Sequence, residues 1–318
     1  MAASRVIGVD LGGTKLLAGI VDEDGVVVRR TVRSTETGSE EQLVAELEAA
    51  IEECLEDGAA IGVGIPSRID QRRGRAVSSV NVPLDDLDLR EHLSSRFGLP
   101  AAIENDANAA ALAEHRFGAG RGTRHLVMLT LGTGIGGGLI LDGKLYRGSI
   151  GAAGELGHMT LLIDGPECLG NCPGRGHLEA LASGTATDAL ARELAAERPE
   201  GDLGRVAAEG KTVDARLAVD LAVEGPGDAR TLLGQVGTRL GEGIASLVNI
   251  FNPEVVVLGG GFARAGDLLF EPARRVVAER ALVPARDLVR IVPAVLGVEA
   301  GLVGAGLVAF EALEAQGG

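Results

Sequence analysis

The chain has 318 residues, 46 % of them apolar, and a formal net charge of −15 from 45 acidic and 30 basic side chains. This length points to two lobes, and the composition excludes disorder and collagen-like repetition. The acidity repels a phosphodiester backbone, Leu126 to Ile140 is too short and too glycine-broken to span a bilayer, and the opening Met-Ala-Ala-Ser-Arg lacks a signal-peptide apolar run, so neither nucleic acid nor membrane is expected as a partner and a cytoplasmic location is.

Arg5 to Asp10 reads as a short buried strand, followed by a Gly-rich turn, a strand from Leu16 to Asp22, an Asp24-Gly25 turn and a strand from Val26 to Val32. Ser39 and Gln42 form a capping-box pattern ahead of Leu43, Leu47, Ile51 and Leu55, which predicts a helix over 40–56. A strand at Ala60 to Ile65 follows, then an irregular basic loop (Arg68, Arg72, Arg73, Arg75), a helix over 89–97, a strand at Ala101 to Glu104 and an Ala-rich helix over 106–116.

From His125 the pattern restarts, with a strand to Leu131, a Gly-rich turn, a strand from Gly138 to Leu141 and an Asp142-Gly143 turn. Shifting the opening hairpin by 120 positions lays Leu11 on Leu131, Gly12 on Gly132, Ile20 on Ile140 and Asp22 on Asp142. Such a repeat predicts two related α/β lobes, each offering a backbone turn to a ligand in the cleft between them. Beyond 178 the chain reads as mostly helical, with later strands at Glu254 to Leu258 and Leu288 to Val292 and a closing helix over 300–314. The expected division is 1–116 for the first lobe, with the closing segment 300–318 packing back on it, and 117–299 for the second.

Four segments carry candidate chemistry. Asp10-Leu11-Gly12-Gly13-Thr14-Lys15 places glycines, a hydroxyl, an ammonium and a carboxylate at a hairpin tip, where phosphate oxygens and hydrated Mg²⁺ could be met. The spacing of a Walker loop is absent and a strand follows instead of a helix, and an ordinary Gly-rich β-turn is the competing reading. Gly132 to Gly138 contains a formal G-x-G-x-x-G, but it too runs into a strand, which argues against a dinucleotide fingerprint and for a second phosphate hairpin through Thr133, Gly134 and Gly136.

Glu104-Asn105-Asp106 joins a strand to a helix, so Asn105 or Asp106 reads first as a helix cap. A carboxylate at such a junction is also placed to take a hydroxyl proton as general base in phosphoryl transfer.

Glu155, His158, Cys168, Cys172, His177 and Glu179 fall close together in sequence and gather two of the three cysteines. His158, Cys168, Cys172 and His177 supply two imidazoles and two thiolates for one tetrahedral Zn²⁺, and a sphere closed by four protein ligands is structural. The alternative, a redox pair, lacks the C-x-x-C spacing. Cys54, among apolar helix positions, reads as an inert core residue.

Together these segments resemble the ROK family of sugar kinases and related repressors, and among them bacterial ROK-type glucokinases. The resemblance rests on Asp10 to Lys15, on Glu104-Asn105-Asp106-Ala107-Asn108-Ala109-Ala110-Ala111-Leu112-Ala113-Glu114, on Leu131 to Gly138 and on Gly151-Ala152-Ala153-Gly154-Glu155-Leu156-Gly157-His158, in the family's order. Val256 to Gly261 is similar to the family's late strand and Gly-rich turn near the adenosine, which adds Gly259, Gly260 and Gly261 to the nucleotide contacts.

The resemblance implies a two-lobed actin-like ATPase (ribonuclease H-like) fold and ATP-dependent phosphorylation of a hexose at O6, with glucose leading. Asp106 is then the general base, and Asn105, Glu155, His158 and Glu179 bind the sugar. ATP, Mg²⁺ and a structural Zn²⁺ are the implied cofactors, and a homodimer or homotetramer the implied assembly. One departure concerns the metal. The family's motif usually reads C-x-C-G-x-x-G-C-x-E, whereas here the cysteine gap is longer and His177 stands at the third cysteine's position.

Competing readings are kinases for mannose, fructose, N-acetylglucosamine or N-acetylmannosamine, polyphosphate as donor in place of ATP, and a sugar-binding regulator without catalysis. A repressor of this family would need a helix-turn-helix ahead of the first strand, which begins by Arg5.

Overall fold

The computed structural model describes residues 4–79, 82–84 and 86–317, so the expectation about the opening Met-Ala-Ala lies outside the described residues. The strands are β1 (Arg5–Leu11), β2 (Lys15–Asp22), β3 (Val27–Ser34), β4 (Ile61–Ile65), β5 (Ser67–Asp70), β6 (Arg75–Ser79), β7 (Ala101–Asn105), β8 (Leu126–Leu131), β9 (Ile135–Leu141), β10 (Lys144–Leu145), β11 (Val255–Gly259) and β12 (Arg290–Pro293). The helices are α1 (Glu40–Glu52), α2 (Leu89–Phe97), α3 (Asp106–Arg116), α4 (Leu178–Ala182), α5 (Gly184–Glu197), α6 (Asp202–Ala208), α7 (Ala215–Glu224), α8 (Asp228–Phe251), α9 (Asp267–Arg280), α10 (Ala285–Leu288) and α11 (Ala300–Gly317).

Two five-stranded sheets have the orders β3-β2-β1-β4-β7 and β10-β9-β8-β11-β12. In the first, β1 and β2 pair antiparallel with Asp10 opposite Leu17, and β4 and β7 continue in parallel. In the second, β8, β11 and β12 are parallel, with Val257 opposite both Met128 and Val292. The matching orders repeat one supersecondary plan. The offset of 120 holds at the second strand, because β2 begins at Lys15 and β9 at Ile135, three residues before the expected Gly138.

The chain divides into two compact units, residues 1–124, 138–154 and 294–318 in one and residues 125–137 and 155–293 in the other. This differs from the expected 1–116 and 117–299. The segment 138–154 joins the first unit because Gly138 lies against Ala107 and Ala111 of α3, a contact between segments distant in sequence that local periodicity does not encode.

In the first unit the parity of β1 decides what each face meets. Ile7, Val9 and Leu11 join the core with Leu43, Leu47 and Ile51 of α1 and Leu89 and Leu93 of α2. Val6 turns to the other face, against Leu302 and Ala309 of α11, which places Gly8 and Asp10 on that face too. α1 forms because Ser39 accepts from the Gln42 N–H, as its sequence pattern predicts, but it ends at Glu52. A 3₁₀ turn at Leu55–Asp57 replaces its last turn, and Cys54 is buried just before it.

The expected irregular basic loop is instead the antiparallel hairpin β5–β6. Its Arg75 binds Asp88 through Nε at 2.8 Å and Nη2 at 2.7 Å, which neutralises the charge that had read as loop-like. In the second unit α8 buries Leu232, Leu233, Val236, Leu240, Ile244, Leu247 and Val248 at helical spacing, as expected of an amphipathic core helix.

Candidate functional site

The first unit carries two of the candidate segments, Asp10 to Lys15 and Glu104 to Asp106. Gly12, Gly13 and Thr14 form the tip between β1 and β2, closed by the Gly12 N–H donating to the Lys15 carbonyl at 2.9 Å. Thr35, which sequence reasoning did not single out, donates its hydroxyl to the Gly12 carbonyl at 2.7 Å. Gly13, Thr14 and Lys15 are exposed, so their amide, hydroxyl and ammonium groups can meet an anion.

Asp10, the last residue but one of β1, faces α11, where any Cβ at Gly301 would strike the Asp10 carboxyl. Gly301 therefore sets how closely the helix approaches. Burial pushes the Asp10 carboxyl from 3.8 up to about 6. A desolvated carboxylate whose shift comes from burial is a site that a cation would favour, and this fits Mg²⁺ held in part by Asp10.

At the β7–α3 junction the structure resolves the capping question. Asn105 has φ −63° and ψ 141° and its side-chain oxygen accepts from the Ala107 and Asn108 N–H groups at 3.0 and 3.1 Å. Asn105 is the cap, which makes Asp106 the first helical residue, with Oδ1 accepting from the Ala107 N–H at 2.8 Å. The Asn105 amide nitrogen faces the Ser67 carbonyl at 3.4 Å.

The second unit holds the remaining candidates. Thr133 and Gly134 stand at the tip between β8 and β9, with the Gly132 N–H donating to the Gly134 carbonyl at 2.9 Å; Gly136 is the second residue of β9. The start of α5 binds this turn, since the Gly184 N–H donates to the Gly132 carbonyl at 2.8 Å. Gly259 ends β11 beside Thr130, and Gly260 follows with φ +85°, where a Cβ would collide with the Leu131 backbone.

His158, Cys168, Cys172 and His177 come together, each offering one ligand atom, with all four atoms within 4.8 Å of one another. His158 Nδ1 lies 3.4 Å from His177 Nδ1 and 3.5 Å from Cys168 Sγ, and Cys172 Sγ is 3.5 Å from His177 Nδ1. Tetrahedral zinc, with bonds of about 2.0 Å to nitrogen and about 2.3 Å to sulfur, sets its ligand atoms about 3.3–3.8 Å apart. The donor set fits the ion, and these three distances fall within that range.

Burial and then the adjacent Cys172 thiol push the Cys168 thiol up to about 12, so a metal would have to displace a firmly held proton. The other ring nitrogen of His158, Nε2, lies 3.7 Å from Glu155. Glu179 Oε2 accepts from the Ile135 N–H at 2.8 Å, and Glu179 Oε1 is 3.9 Å from Cys168 Sγ.

The ROK family pattern matches residues 6–312. The chain belongs to the ROK family. It is similar to the glucokinase of Thermotoga maritima, at 38% identity over 311 residues that cover 96% of this chain and 97% of that one. The glucokinase of Streptomyces coelicolor is 36% identical over 319 residues, again covering 96% and 97%. Among solved structures, the ROK family glucokinase from Streptomyces griseus in complex with glucose and AMPPNP has a TM-score of 0.84 and 34% identity, covering 97% of this chain and 100% of that one. As a ROK protein the chain has the actin-like ATPase fold that the family resemblance implied, and its two sheets of matching order agree with the duplication read from the sequence. No helix among the described residues is long and apolar enough to cross a membrane.

Proposed function

We propose that this ROK protein is an ATP-dependent hexose kinase that converts glucose and ATP to glucose 6-phosphate and ADP, with Asp106 as general base. The observation that carries the reading is the near-full-length similarity to a ROK glucokinase that holds glucose and AMPPNP. Asp106 takes the proton of the sugar hydroxyl as its oxygen attacks the γ-phosphorus. The bond to the β-phosphate oxygen breaks and ADP leaves.

The amides, hydroxyls and ammonium at Gly12, Gly13, Thr14, Lys15, Thr133 and Gly134 bind phosphate oxygens, and Gly259, Gly260 and Gly261 line the nucleoside side. Mg²⁺, held in part by Asp10, neutralises charge on the phosphates when bound. Asn105, Glu155, His158 and Glu179 select the sugar hydroxyls. Asn105 does so through its side-chain amide nitrogen Nδ2, because its side-chain oxygen is occupied in capping α3.

His158, Cys168, Cys172 and His177 hold a structural Zn²⁺. With Nδ1 directed at the cluster and Nε2 at Glu155, His158 can present a fixed N–H to substrate. The family resemblance adds a homodimer or homotetramer, which light scattering on the purified chain measures directly.

The test is ADP release with Mg²⁺-ATP against a panel of hexoses and amino sugars, with a no-sugar control and a polyphosphate arm. Release with glucose supports the reading. Release only with another sugar keeps the chemistry and changes the substrate, release of phosphorylated sugar only from polyphosphate changes the donor, and silence across all arms with folded protein refutes catalysis.

A further inference from the structure

Glu104 is completely buried, yet its carboxylate is fully engaged. Oε1 accepts from the Asn105 N–H and from Asn108 Nδ2, each at 3.0 Å, and Oε2 accepts from Arg147 Nε at 2.6 Å. Those first two donors flank Asp106 on either side in sequence. One carboxylate therefore grips both the residue before the proposed base and the helical turn after it.

A fully buried carboxylate is costly without a paired cation, and Arg147 is that cation. Arg147 reaches Glu104 from the loop after β10, and its Nη2 binds Glu311 of α11 at 2.8 Å. Its own carbonyl accepts from the Ala153 N–H at 3.2 Å, inside the Gly151-Ala152-Ala153-Gly154 stretch. The same arginine thus holds the Asp106 junction through its side chain and the glycine-rich loop through its backbone.

We propose that Glu104 and Arg147 are positioning residues for phosphoryl transfer, their ion pair fixing the Asp106 carboxylate and the Gly151–Gly154 loop in one arrangement. This rests on the reading of Asp106 as general base. A base displaced by about 1 Å loses rate by up to about 10²-fold even when substrate still binds. The pair is consequently read in turnover before it is read in nucleotide affinity.

The experiment measures kcat, KM for glucose and for ATP, and the thermal midpoint for Glu104→Gln, Arg147→Met, Arg147→Lys and the Glu104→Gln/Arg147→Met double variant, beside Asp106→Asn. Glu104→Gln keeps the shape of the side chain and an oxygen for Asn105 and Asn108, so it remains the informative variant even if Arg147→Met does not fold. The expected result is a fall in kcat of about 10- to 100-fold for Glu104→Gln and Arg147→Met, with KM for ATP within about twofold of wild type. Arg147→Lys should return kcat to within about threefold of wild type, and the double variant should recover thermal stability without recovering kcat.

Single variants that lose thermal stability but keep wild-type kcat overturn the proposal, as does a double variant whose kcat recovers in step with its stability. Failure of the underlying reading looks different: Asp106→Asn would then retain wild-type turnover, whatever Glu104 and Arg147 do.

Discussion

The Ile135 N–H donates to Glu179 Oε2, while Glu179 Oε1 lies beside Cys168 Sγ, so one carboxylate touches both the second glycine-rich turn and the cysteine–histidine cluster. A residue that served the sugar alone would have no reason to bind the turn. Glu179→Ala is accordingly expected to raise KM for ATP as well as KM for glucose, each by about tenfold, the scale of one lost charge-assisted hydrogen bond. Initial rates with both substrates varied decide this. A rise confined to the glucose KM would assign Glu179 to the sugar only.

Asp106→Ala should lower kcat by about 10²–10⁴ and leave the glucose dissociation constant within about threefold, as loss of a general base does. The helix should survive the change, because Asn105 supplies the cap. Steady-state turnover and calorimetric sugar binding on the same preparation check the two halves. Wild-type turnover in the variant removes Asp106 from the mechanism.

Burial raises the Asp10 carboxyl from 3.8 to about 6, so the folded chain holds this proton more tightly than the unfolded chain does. The penalty is absent below about pH 4, grows between the two pKa values and is complete above pH 6, where it reaches up to about 3 kcal/mol. Asp10→Asn should therefore melt higher than wild type at pH 7.5, with the difference vanishing towards pH 4, while activity falls. Thermal scans across that range test it; a difference that does not change with pH would mean that Asp10 is not desolvated as described.

Purified protein should contain about one zinc per chain. His177→Ala should lower that content and the melting temperature together, whereas His177→Cys, which keeps a good zinc ligand, should retain both. Metal analysis with melting curves before and after chelation checks the claim. A metal-free preparation with full activity and unchanged melting would sink it.

The strands and helices were legible where one physical signal dominated. The capping pattern at Ser39 and Gln42, the short buried run of β1 and the four-residue stripe of α1 each depend on residues close in sequence. The hairpin β5–β6 was missed because its arginines read as solvated loop charges, and only the fold brings Asp86 and Asp88 to Arg75. Arg147 carried no local signal at all, since its partners Glu104 and Glu311 lie far away in the chain.

By itself, the sequence determined the duplicated strand–turn–strand plan, the glycine-rich turns, the four metal-ligand candidates and the Asn105-Asp106 junction, because residue type and spacing are local quantities. Tertiary structure decided that Asn105 caps while Asp106 begins the helix, that Asp10 is pressed against Gly301, and that Glu104 and Arg147 pair beneath the proposed base. The last two outcomes depend on burial and on contacts between residues far apart in the chain, and the first on which of two neighbouring side chains turns back to the α3 amides, a choice that residue type leaves open. Only a folded chain sets these.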